Sequence, residues 1–336
     1  MWLYAFITLA TTFASPAALS AITAGLLINI FGIQDVSIAT VAVGLFAFNS
    51  TILIIGKYKL LETTLKFLIP TLFIALLVTT VLVINKGPIT PVANFEAPPF
   101  FDEIGILFLI TLIGWMPTAV ETSSWLSLWS VEKYKLNKEK PPLKEALQEF
   151  NFGYLLTAIL AIFFLTIGYM TLYGSGTELS GNAVTFADQV VQLFTVHIGS
   201  WAYIFIAVSA FATMYSTCLT NHDAITRVSI DIIAKLAGKD NYTTERKYYA
   251  AGVILLAIVS IIVLFALGGN MGLILAVATV ISFVLAPIVG YLNLKNVMSN
   301  DLPEQDRPKK GLQLLTFAGI FFLSCLAIYY GWILIF

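Results

Sequence analysis

Nearly every apolar stretch in this chain is about twenty residues long, enough for an α-helix to cross a hydrocarbon core of about 30 Å at about 1.5 Å per residue. That repeat restricts the fold more than any single motif does, because only helices or closed barrels satisfy their backbone inside a bilayer. Composition agrees: 59% of the 336 residues are hydrophobic and 11% are charged, where a soluble domain carries roughly 25% charged residues. The chain therefore reads as an all-α polytopic membrane protein, one membrane domain over residues 1–336. Nine spans are predicted, near 2–31, 36–56, 65–85, 104–130, 151–174, 198–226, 248–267, 271–293 and 312–336. Met1-Trp2-Leu3-Tyr4 has no basic segment and no small-residue cleavage site after it, so it reads as the start of a span rather than a signal peptide.

Basic residues are sorted by loop. Lys57, Lys59 and Lys66 flank one turn, Lys133, Lys135, Lys138, Lys140 and Lys144 fill another, and Arg227, Lys235, Lys239, Arg246 and Lys247 a third. Lys295, Arg307, Lys309 and Lys310 complete a set of seventeen of the eighteen Lys and Arg residues in alternate loops, with Lys86 alone on the other side. The positive-inside rule then predicts a cytoplasmic N-terminus and an external C-terminus, in the plasma membrane (bacterial inner membrane). Cys218 and Cys325 fall in separate apolar segments and make no disulfide framework.

The first span carries Ala17, Ala21 and Gly25 on one face, small side chains that let another helix approach closely. Lys57-Tyr58-Lys59 is read as a loop between the second and third spans. Pro88, Pro91, Pro98 and Pro99 exclude helix from the segment before the fourth. Residues 183–196 read as an amphipathic helix with Val184, Ala187, Val191 and Phe194 on its apolar face and Asp188 and Gln192 toward water, lying on the outer surface or capping a vestibule. The ninth span reads as a peripheral, lipid-facing helix.

The fourth span is interrupted at its centre by Gly114-Trp115-Met116-Pro117-Thr118-Ala119-Val120-Glu121. A proline frees a backbone carbonyl, and hydrocarbon has no water to satisfy it, so such a break persists only inside protein or beside a cavity. Glu121 is expected about 6 Å from the span centre, with no Lys or Arg in its own span. It is then a protonated acid, a carboxylate in a water-filled cavity, a ligand of a bound cation, or a structural hydrogen-bonding acid. Met116 beside the break offers a soft thioether to a metal while unwound carbonyls supply oxygen. Thr118, Glu121, Thr122 and Trp125 fall on one face of the following half-helix, a natural wall for a path.

The sixth span is unusually polar, with Ser209, Thr213, Ser216, Thr217, Thr220, Asn221, His222 and Asp223. Such hydroxyls bond across helices or back to their own turn, or they line a pathway, which makes Thr217, Asn221 and Asp223 secondary candidates. Asp223 and Arg227, four apart, are placed to form an interfacial salt bridge. Met214, Cys218 and His222 share a face and are soft-ligand types, but three stacked positions cover about 12 Å and cannot converge on one ion unaided. The loops hold no phosphate loop, nucleophile elbow, zinc-protease motif or nucleic-acid signature. An enzyme is not expected, nor a cofactor, nor a nucleic-acid partner.

Thr23-Ala24-Gly25-Leu26, Gly56-Lys57-Tyr58-Lys59-Leu60-Leu61-Glu62, Trp115-Met116-Pro117, Trp125-Leu126-Ser127-Leu128-Trp129, Phe150-Asn151-Phe152-Gly153-Tyr154 and Met214-Tyr215-Ser216-Thr217, followed by Asp223 and Arg227, form an ordered set. In that order the chain resembles the Nramp family of divalent-metal transporters, and more closely its bacterial Nramp-like branch. The resemblance implies an inverted-repeat bundle of the leucine-transporter type. Residues 1–85 would be three spans ending a first repeat, residues 104–293 five spans of a second, and 312–336 an additional span. It also implies a transported divalent cation of the manganese, iron or magnesium class, with Met116 as metal ligand and Pro117 as the break. The family's usual His after Met-Pro is Thr118 here, and its Asp-Pro-Gly-Asn break has no counterpart. The resemblance thus implies that the first two helices of the family come from sequence upstream, come from a separate chain, or are lost together with transport. An amino-acid or other small-solute symporter on the same fold, and a transport-inactive scaffold or subunit, are the competing readings.

Overall fold

In a computed structural model, the protein is described for residues 2–335 except 34, 94, 98, 100–101, 117, 138–140, 178, 181, 239–245 and 267–270. Ten α-helices follow one another among the described residues, with no strand. They are α1 (Trp2–Phe31), α2 (Ile38–Lys86), α3 (Glu103–Trp115), α4 (Thr122–Asn137), α5 (Leu143–Thr171), α6 (Ala183–Ile198), α7 (Tyr203–Leu236), α8 (Arg246–Ala266), α9 (Met271–Val297) and α10 (Lys310–Ile335). Among the described residues, six segments are long and apolar enough to cross a membrane: Ile38–Gly56, Lys59–Lys86, Leu143–Thr171, Arg246–Ala266, Gly272–Val297 and Lys310–Ile333. The chain is an all-α membrane protein. Three of the nine expected spans fall outside that set. Among the described residues, the apolar part of α1 is only Ser15–Phe31 and the fourth span is cut to Gly105–Trp115, while the start of α7 includes side chains outside the described residues.

The expected loop at Lys57-Tyr58-Lys59 is helical instead, so the second and third spans share the 49-residue run of α2. A straight helix of that length would extend about 74 Å, more than twice a hydrocarbon core of about 30 Å. Nothing in Gly-Lys-Tyr-Lys forbids helical dihedrals, whereas Ser37 and Gly87 do bound the run. The Ser37 hydroxyl accepts the Thr40 amide, and Gly87 closes the far end with a φ of 81°.

The centre is α1, which lies against α2, α6, α7, α8 and α9. Its small-residue face is the reason. Ala17, Ala21 and Ala24 are fully buried, and a Cβ on Gly25 would sit 2.4 Å from the carbonyl oxygen of Ala183 in α6. Between lipid-soluble helices, association depends on such close backbone approach rather than on excluding water. The amphipathic helix forms as expected and buries Ala183, Ala187 and Val191. Asp188, expected in water, instead accepts from Asn29 of α1 (3.1 Å) and from Gln192 (2.6 Å), while the Tyr203 hydroxyl donates to Asn29 (2.6 Å). Thus α6 is pinned across the end of α1 opposite the Lys-rich loops. Helix α10 packs on α9 and leaves most of its apolar surface outward, in keeping with a peripheral position; α5, packed on α2, is outward-facing in the same way.

Candidate functional site

The fourth span breaks where the sequence places the break. Helix α3 ends at Trp115, Met116 is extended (φ −111°, ψ 127°) with its N–H still bonded to Leu112 O (2.9 Å), and α4 begins at Thr122. Pro117 lies outside the described residues; chemically it has no amide proton to offer Ile113. The restart is built from short turns and hydroxyls. Ala119 O accepts both the N–H (3.1 Å) and the hydroxyl (2.7 Å) of Thr122, and Glu121 O accepts both from Ser124 (3.2 and 2.8 Å). The Thr118 and Thr122 hydroxyls meet at 3.2 Å.

Two neighbouring helices hold this break. A Cβ on Gly114 would fall 2.3 Å from Thr279 O, so α3 touches the backbone of α9 at that level. The contact brings Trp115 and Glu121 to Ser282: the indole N–H donates to Ser282 Oγ (3.1 Å) and the Ser282 hydroxyl donates to Glu121 Oε1 (2.6 Å). Lower on α9, Asn293 donates to Ser123 Oγ (2.8 Å), and Tyr4 of α1 bonds Ser124. Glu121 is only 8% exposed and forms no ion pair among the described residues. A carboxyl so placed is costly in a membrane interior unless something else neutralises it.

The structure thus gathers Met116, Thr118, Glu121 and Thr122 into one break and leaves the secondary candidates elsewhere. Thr217 is exposed on α7 and bonds back to Thr213 O (3.0 Å). Asn221 is buried and donates to Ser15 of α1 (2.7 Å). Asp223 is fully buried in a network at the Lys-rich end, not at an interface with water. It accepts from Arg227 Nε (2.8 and 3.0 Å), from Trp129 Nε1 of α4 (2.7 Å) and from the Tyr249 hydroxyl of α8. Arg227 reaches on to Glu132 of α4 (3.3 Å) and stacks over the Tyr249 ring at 4.7 Å. This network ties α4 to α7 and α8 but does not join the break.

The soft-ligand row on α7 has its side chains engaged by different neighbours. Among the described residues no group of three or more His, Cys, Asp or Glu is arranged to hold a metal ion. Cys218 lies against Asn49 Nδ2 (3.6 Å), and His222 Nε2 sits 2.9 Å from Val253 O, edge-on to Phe46. Sequence reasoning missed Ser282 and Asn293. A lone hydroxyl in an apolar run usually bonds to its own helix, and its partner here is 161 residues away. The one available signal was Trp115, whose indole N–H must find an acceptor when buried.

No family model matches the chain. The chain is similar to the uncharacterized protein PM0681 of Pasteurella multocida (strain Pm70), with 26% identity over 340 residues. The likeness covers 99% of this chain and 76% of that protein, so it takes in both the break and the Asp223 network.

Proposed function

We propose that the protein is a secondary transporter that moves a divalent metal cation by alternating access, along a path past Met116, Thr118, Glu121 and Thr122. One observation carries this reading: a membrane helix is interrupted at a buried carboxyl that has no cationic partner among the described residues. A transported cation supplies the missing charge, and the unwound backbone and hydroxyls beside it supply oxygen donors. The Met116 thioether mildly favours manganese or iron over magnesium.

A small-solute symporter is the second reading, favoured by the N-terminal dipole of α4, which starts in the break at Thr122 and suits an anionic group. Glu121 stands one residue before that start and repels such a group, which is why the cation reading is preferred. The test is uptake of Mn²⁺, Fe²⁺ or Mg²⁺ into proteoliposomes carrying the purified protein. Glu121→Gln and Met116→Ala are expected to lower uptake by about tenfold or more, the effect of roughly 1.4 kcal/mol. Uptake that survives both substitutions removes the break from the path. Uptake of amino acids in place of metals selects the symporter, and no uptake of either points to a scaffold.

A further inference from the structure

We propose that Ser282 of α9 is a positioning residue that orients the Glu121 carboxyl in the break, through a hydrogen-bond chain from Trp115 to Ser282 to Glu121. This rests on the cation reading for its ligand but not for its geometry. An indole N–H can only donate, so the Trp115 Nε1 contact at 3.1 Å makes Ser282 Oγ the acceptor there. The single hydroxyl proton of Ser282 then points to Glu121 Oε1, at 2.6 Å. Oε1 accepts this bond with one of its lone pairs, so the carboxyl is held toward α9 in a fixed orientation for an arriving cation.

Every part of the chain is held by something else. Ser282 is 2% exposed, so no solvent competes for its hydroxyl. Thr279, one turn earlier, spends its own hydroxyl on the Leu275 and Ala276 carbonyls and cannot substitute for it. Gly114 allows α3 to approach the Thr279 carbonyl, which sets the helix spacing that lets Trp115 reach across. The carboxyl in the break is consequently aimed by α3 and α9 together, and α9 enters the site although it offers no charged ligand.

The test uses the full chain with Ser282→Ala, Ser282→Thr, Trp115→Phe and Glu121→Gln, read in two ways. In Mn²⁺ uptake, Ser282→Ala is expected to raise the half-saturating concentration by roughly ten- to a hundredfold, as for loss of a hydrogen bond to a charged group. The maximal rate should stay within about twofold, because the carboxyl is misaimed rather than removed. Ser282→Thr keeps the donor and should restore half-saturation. Trp115→Phe frees the hydroxyl to rotate and should give a smaller shift in the same direction. In infrared difference spectra, the carboxyl band assigned by its loss in Glu121→Gln should move in Ser282→Ala and return in Ser282→Thr. An unmoved band in Ser282→Ala, or equal effects of Ala and Thr, overturns the proposal. A moved band in a protein that transports no metal keeps the positioning role and removes the cation reading. Glu121-dependent uptake with an unmoved band does the reverse.

Discussion

Asp223 is enclosed with three donors from three helices, and removal of the charged one, Arg227, leaves a buried carboxylate with no opposite charge. Arg227→Met is expected to lower stability by about 3–5 kcal/mol, the cost of stranding one partner of a buried ion pair. The measurement is thermal unfolding in detergent, with Asp223→Asn/Arg227→Met recovering most of the loss because no uncompensated charge remains. The pair itself was legible from its four-residue spacing. Its burial was not, because Trp129, Glu132 and Tyr249 come from other helices. Glu121 divides the same way. Its span contains no cation to pair with, which marks it in the sequence, whereas Ser282 and the direction of its hydroxyl depend on a neighbour 161 residues on.

At the level of elements, the proline in the fourth span and the amphipathic period were good guides, whereas Pro16, Pro70 and Pro287 lie inside helices and the charges at 57 and 59 misled. Pro117 with the residues around it predicted the end of α3 and the start of α4, and the periodicity of 183–196 predicted α6. Lys57 and Lys59 suggested a loop that is helical, because a charged residue suits a helix backbone as well as a turn. The fit of α6 over α1 depends on Gly25, since the atom facing it is a backbone carbonyl that cannot swing aside. Gly25→Val should lift α6. Amide hydrogen exchange across residues 183–198 is then expected to accelerate while residues 17–24 stay protected, and equal protection of both segments would show that the contact gives way elsewhere.

For the whole molecule, the sorting of lysines and arginines predicts sidedness, which labelling checks. In a background with Cys218→Ala and Cys325→Ser, Glu96→Cys should react with a membrane-impermeant maleimide in intact cells. Glu304→Cys should react only after permeabilisation; both positions are exposed. Labelling of Glu304→Cys in intact cells would reverse the predicted orientation.

Local chemistry settled what the sequence settled. Apolar runs of membrane-spanning length, a proline at the centre of one of them and small residues four apart each act through the chain's own backbone or the solvent around it. A bilayer offers no alternative to satisfying that backbone within the segment. Tertiary structure alone decided that the carboxyl in the break meets a serine on α9, that Asp223 is shared by three helices, and that α6 seats on a glycine. Those outcomes depend on which helices lie side by side, and no spacing along a single helix encodes its neighbours.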